Sequence, residues 1–75
     1  MTDHSVDARG LNCPLPILRT KKALKELAVG ETLEVLATDP GSVADFAAFA
    51  RQTGDELVTA EEANGHFRYV LRRKS

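Results

Sequence analysis

Only one cysteine, Cys13, stands in this chain of 75 residues, so no disulfide can form within it. With two histidines besides, at positions 4 and 66, the sequence lacks the ligand spacing of a metal site, and no resident metal or cofactor is expected. No apolar run approaches the roughly 20 residues of a membrane span, and no apolar stretch of signal length opens the chain, so no membrane association is expected and the cytoplasm is the expected compartment. An excess of either charge is missing too. Ten Lys and Arg stand against eleven Asp and Glu, for a net charge of −1, which argues against bulk nucleic acid as the main partner while leaving room for a local basic face. Repeats, linkers and low-complexity segments are absent, so residues 1–75 are expected to form one domain. At this size only about 60% of the unfolded surface is buried, and caps and turns weigh heavily in the stability.

The lone thiol lies in Arg9-Gly10-Leu11-Asn12-Cys13-Pro14-Leu15-Pro16. Proline is tolerated in the first turn of a helix, where its missing N–H costs nothing, and would break a helix interior. Two prolines therefore place Cys13 at a helix start. There the unpaired N–H groups and the helix dipole favour a thiolate, and a cysteine so placed is more acidic than the free side chain, whose pKa is about 8.5. The two prolines remove donors, so the N–H groups left to contact the sulfur are those of Leu15, Ile17 and Cys13 itself. Gly10 supplies a turn before the helix, and Leu11 an apolar residue that packs back against it.

The remaining elements follow from periodicity. His4 to Ala8 alternates as a short strand, with Val6 and Ala8 on one face. From Pro14 to about Ala28, Ile17, Leu24 and Leu27, with Thr20 and Ala23, recur at helical spacing and leave Arg19, Lys22 and Glu26 on the far side, closed by Val29-Gly30. Thr32 to Thr38 reads as a strand burying Leu33, Val35 and Ala37. Asp39-Pro40-Gly41 is a turn, and Ser42 with Asp45 resembles a capping box opening a second helix that runs to Thr53. Its expected buried stripe is Val43, Phe46, Ala47 and Ala50, and Gly54 ends it. Glu56–Glu61 and His66–Arg72 read as strands joined through Asn64-Gly65, a strong hairpin signal.

The order is βαβαββ, an α/β two-layer sandwich. Right-handed crossovers would set both helices on one face of the sheet and leave the other open. The first two strands would be parallel, so residues 9–16 and 39–42 share one edge, the edge where open α/β sheets carry their sites. Asp39 is then the expected opposing charge near Cys13, and Arg9 the supporting one. No disulfide or sulfur relay through Cys13 can be resolved within the chain, so its partner must be another molecule. His4 lies at the far end of its strand and His66 has no reason to approach, so neither is expected to act as a base. Arg19, Lys21, Lys22 and Lys25 read as a solvated helix face that could also dock an acidic partner or RNA. Arg68, Arg72, Arg73 and Lys74, with an open sheet face, keep a small RNA-binding module as an alternative; a self-sufficient thiol enzyme lacks both a resolving cysteine and a placed base.

Asp7 to Pro16, Thr20-Lys21-Lys22-Ala23-Leu24, Gly30-Glu31, Thr38 to Ser42 and Tyr69 to Lys74 together resemble the TusA (SirA-like) sulfur-carrier family over nearly the whole chain. The resemblance implies a two-layer sandwich like the C-terminal domain of translation initiation factor three, with a mixed four-stranded sheet ordered 1-2-4-3. It implies that Cys13 carries sulfur as a transient persulfide, taken from an IscS-like cysteine desulfurase and passed on. The acceptor it implies is a TusBCD-like relay toward tRNA 2-thiouridine, with molybdenum-cofactor assembly or sulfur oxidation served in some relatives. Carried over by position, Cys13 is the persulfide site, and Pro14 and Pro16 shape it, with Arg9, Gly10, Leu11, Asn12, Asp39 and Ser42 around it. Some relatives have a further cysteine where this chain has Phe49-Ala50-Arg51, and its absence here supports a single-thiol carrier; a monomer without independent turnover is expected. YedF-like proteins linked to selenium metabolism share the motif and remain an alternative.

Overall fold

The computed structural model describes residues 4–12 and 15–74. Strand β1 (His4–Ala8) is followed by α1 (Leu15–Lys25), β2 (Thr32–Ala37), α2 (Ser42–Thr53), β3 (Glu56–Ala63) and β4 (His66–Arg72). The four strands form one mixed sheet in the order β1-β2-β4-β3, with β1 parallel to β2 and the other pairs antiparallel. Fold class and strand order are those expected. No described helix is long and apolar enough to cross a membrane.

Both helices cover the face on which Ala8, Leu33, Val35, Ala37, Tyr69 and Leu71 are buried. Alternation within each strand sends these residues inward, and the pairings Val35↔Tyr69 and Leu33↔Leu71 bring them side by side. Phe46 of α2 stacks on Tyr69, with ring centroids 4.3 Å apart. At the hairpin, Asn64 and Gly65 both have positive φ, 55° and 81°, as a two-residue turn matched to the strand twist requires. That turn lets Ala63 pair with His66, so β3 runs two residues past the expected Glu61, with an irregularity between Leu57 and Thr59.

Three local expectations are corrected. Helix α1 ends at Lys25 rather than Ala28, and its exit tightens through Glu26 N–H to Ala23 O and Leu27 N–H to Leu24 O. The cause is tertiary: the Arg73 guanidinium donates to the carbonyls of Leu24, Lys25 and Leu27, satisfying the helix end that further turns would otherwise have satisfied. Helix α2 buries Ser42, Phe46 and Phe49, leaving Val43 51% exposed and Ala47 exposed. Seating the Phe49 ring removes far more apolar surface from water than seating Ala47 and Ala50, so the helix turns that way. Finally, Ser42 is no cap. Gly41 occupies the N-cap without a side-chain bond, and the Ser42 hydroxyl is buried against the Tyr69 hydroxyl at 2.7 Å.

That pair is a polar contact between α2 and the sheet within the core, and among the described residues no buried side-chain polar atom lacks a partner. Ser42→Ala and Tyr69→Phe are each expected to cost about 1–3 kcal/mol, because each leaves a buried hydroxyl alone. The double variant should cost less than the sum, since it leaves none. Urea denaturation of the four proteins measures this, and strict additivity would show that the two hydroxyls do not depend on each other.

Candidate functional site

Cys13 and Pro14 lie outside the described residues, so the structure places what stands on either side of them. Upstream, Ala8 is fully buried at the end of β1, and the Leu11 N–H returns to its carbonyl at 3.3 Å while Leu11 packs on the core. Gly10 has φ of 82°, a conformation costly for any residue with a Cβ, and its N–H donates to Thr38 Oγ1 at 2.9 Å. This bond ties the loop after β1 to the exit of the neighbouring parallel strand. Downstream, Leu15 opens α1 with its N–H given to the Asn12 carbonyl at 2.8 Å. That donor already has an acceptor, and the expected contact between the N–H groups and the Cys13 sulfur lies outside the described residues. Pro16 is buried in the first turn, and its carbonyl accepts the hydroxyl of the buried Thr20 at 2.8 Å.

The second loop sits at the same edge, as expected of parallel strands. Asp39 Oδ1 accepts the Gly41 N–H at 3.2 Å and the Asp39 carbonyl accepts the Ser42 N–H, which folds residues 39–42 into a turn leading into α2. Asp45 lies in the first turn of that helix, where a carboxylate meets the positive end of the dipole.

Arg9 does not stand as a free supporting charge. Its backbone N–H and Nε reach Asp7 Oδ1 at 3.1 and 2.9 Å, and Nη2 reaches Oδ2 at 3.0 Å. A carboxylate two residues upstream captures it on the sheet face away from the helices. These bonds hold the Asp7 carboxyl down to about 2, below its ordinary 3.8, and a smaller contribution comes from His66. His66 precedes Phe67, which pairs with Ala37 at the end of β2, while His4 sits near Glu31 at 3.7 Å at the other end of β1. Because the folded value lies below the unfolded one, the pair's contribution is present above pH about 4 and is lost as the pH falls toward 2. In Arg9→Met the Asp7 carboxyl is expected to titrate close to 3.8. Side-chain NMR titration measures it, and an unmoved value would assign the depression to something other than Arg9.

The four basic residues that could dock a partner divide between two grooves, Lys25 lying with Lys21. Arg19 and Lys22 line one between α1 and the edge strand β1, together with Val6, Leu18, Ala23 and Glu26. Lys21 faces the other side of α1, toward Phe49, Thr53 and Asp55. Leu15 and Leu18 are 45% and 53% exposed on this helix, an apolar feature not singled out from the sequence although neither belongs to the 17/20/24/27 stripe. Thr38 was passed over as well, because its role depends on which strand lies beside β1.

On the open sheet face the cations have partners. Arg68 binds Glu34 through Nε and Glu61 at 3.1 Å, while Arg72 and Lys74 both reach Glu56, at 3.2 and 3.4 Å. With Arg73 committed to the end of α1, the four cations that suggested an RNA-binding face are all engaged. Among the described residues no group of three or more His, Cys, Asp or Glu could hold a metal ion.

Comparison with known proteins gives a consistent result. The family described as "Sulfurtransferase TusA" matches residues 4–73. A sulfur carrier protein TusA of Allochromatium vinosum is 55% identical over 71 residues, covering 95% of this chain and 93% of the relative. Another protein of that name from Pseudomonas entomophila is 41% identical, covering 97% of this chain and 91% of its own length. Among solved structures, a SirA-like protein of Desulfitobacterium hafniense superimposes with a TM-score of 0.82 at 30% identity, over 96% of this chain and 99% of the other.

Proposed function

Because the chain belongs to the TusA sulfurtransferase family, we propose that it works as a sulfur carrier on Cys13. The thiolate of Cys13 attacks the outer sulfur of a donor persulfide. A new S–S bond forms at Cys13, the donor's own S–S bond breaks, and the donor cysteine leaves as a thiolate, with no net oxidation. In the second half an acceptor thiolate attacks the outer sulfur now on Cys13 and regenerates the carrier. The chain supplies no base, because access and thiolate fraction are what the exchange requires. The transient persulfide is the only group carried, and no cofactor takes part.

The observation that supports this most is the anchoring on both sides of the only thiol. Residues 8–11 are tied to the core and to Thr38, and residues 15–20 begin a helix pinned by Pro16 and Thr20. A loop short enough to be held between two such anchors, at an exposed edge, suits a thiol that two other proteins must reach in turn. Arg9, Gly10, Leu11, Asn12, Pro14, Pro16, Asp39 and Ser42 shape that edge, while Arg19, Lys21 and Lys22 border it as a docking surface.

The donor in this reading is an IscS-like cysteine desulfurase. The acceptor is a TusBCD-like relay toward tRNA 2-thiouridine, with molybdenum-cofactor assembly, sulfur oxidation or a selenium pathway as the other destinations, and the protein acts as a monomer in the cytoplasm. Intact mass after incubation with a cysteine desulfurase and cysteine tests the loading step: the expected result is a gain of one sulfur, about 32 Da, removed by reductant. No gain with desulfurases of several types would overturn the donor assignment.

A further inference from the structure

A third groove opens on the site edge, on the flank opposite Arg19 and Lys22 of α1. It has a volume of about 210 Å³ and is lined by Val43, Ala60, Glu61, Glu62, Phe67 and Tyr69. The strand register fixes its position. Phe67 pairs with Ala37, the last residue of β2, and with Glu62 on β3, so the groove begins one strand away from the exit where Thr38 holds Gly10. Its floor is apolar, and Val43, at the start of α2, stands 51% exposed over it.

Its charge has one sign. Glu61 and Glu62 are in the lining, and no cation is. Glu61 shares Arg68 with Glu34, but Asp45 and Glu62 have no ion-pair partner among the described residues. The Tyr69 hydroxyl at the floor registers the same field: burial raises it most, the Ser42 bond opposes this, and the carboxylates of Asp45, Asp39 and Glu62 raise it further. Nucleic acid and acidic protein surfaces are repelled by such a rim, whereas an apolar side chain ringed by Lys or Arg meets both the floor and the charge.

We propose that the groove between the start of α2 and the β3–β4 hairpin is a docking site for a protein surface that presents an apolar side chain surrounded by basic residues. The two flanks of the site edge then differ in sign, with Arg19 and Lys22 on α1 and Glu61 and Glu62 across from them. Only the role of the occupant, as one of the two partners in the sulfur relay, rests on the carrier reading. Opposite flanks allow donor and acceptor to be told apart by charge at a single thiol.

The test is two-dimensional NMR of the isotope-labelled full chain titrated with the acetylated peptide Lys-Lys-Leu-Phe-Lys-Lys, alongside its Glu-for-Lys counterpart. The basic peptide is expected to shift the amides of Val43, Ala60, Phe67 and Tyr69, weakly and less at high salt, and the acidic one to leave them in place. Glu61→Lys with Glu62→Lys should weaken binding at least about fivefold. Val43→Ser should weaken it with the charges intact, Glu26→Lys in the groove of Arg19 and Lys22 should not, and melting curves check that each variant is folded. Equal response to both peptides, scattered shifts, or binding that survives the charge reversal would overturn the proposal. So would shifts at the groove on adding a single-stranded oligonucleotide, or shifts that grow with chain concentration alone and so identify a second copy as occupant. The peptide carries no sulfur, so failure here leaves the loading experiment untouched, and failure of loading leaves this result standing.

Discussion

Cys13→Ser is expected to abolish the gain of one sulfur completely while leaving the urea midpoint close to that of the wild type. The serine hydroxyl stays protonated at neutral pH and cannot form a persulfide, so no slower route remains within a chain that has one cysteine. Stability should hold, because replacing one sulfur by oxygen leaves the described core of Ala8, Leu24, Leu33, Val35, Phe46 and Leu71 unchanged in composition. The two readings separate the possibilities. Loss of loading with an intact midpoint assigns the chemistry to the thiol, whereas loading that persists in the serine variant would remove Cys13 from the mechanism altogether. A large fall in the midpoint would instead make Cys13 part of the packing.

The largest expected effect on stability belongs to Phe46→Ala. The ring is fully buried, stacks on Tyr69 at 4.3 Å and stands where α2 meets the middle of the sheet. Truncation removes its transfer energy and leaves a cavity that strands on one side and a helix on the other cannot close, a loss of roughly 3–5 kcal/mol. Small domains have little more than this in reserve, so at 37 °C a large share of the variant should be unfolded. Val43→Ala, three residues earlier on the same helix but half exposed, is expected to change stability by no more than about 0.5 kcal/mol. Chemical denaturation compares them, and equal effects would mean that α2 packs on the face first expected from its periodicity.

That contrast marks a limit of pattern reading. The stripe of α2 was misjudged because Val43, Phe46, Ala47, Phe49 and Ala50 cover too wide an arc for periodicity to choose between faces. The volume available beside Tyr69 made the choice. Along α1 and its exit the stripe of Thr20, Leu24 and Leu27 is buried as expected, with Leu15 and Leu18 exposed outside it.

At the site the division is similar. Cys-Pro-x-Pro spacing, the turn at Asp39 to Gly41 and the Asn64-Gly65 hairpin are local chemistry, so the chain by itself determined where the thiol stands along it, the strand that precedes it and the order βαβαββ. Backbone sterics and turn preferences act over a few residues, which is why these were legible. Whether Arg9 is free, what Ser42 bonds to, where α1 stops and what holds Gly10 were decided only by tertiary structure. Asp7, Tyr69, Arg73 and Thr38 supply those answers, and three of the four lie tens of residues away in sequence. Hydrogen bonds and charges are settled by distance in space, and only the folded sheet brings those partners within 3 Å or so of the groups they satisfy.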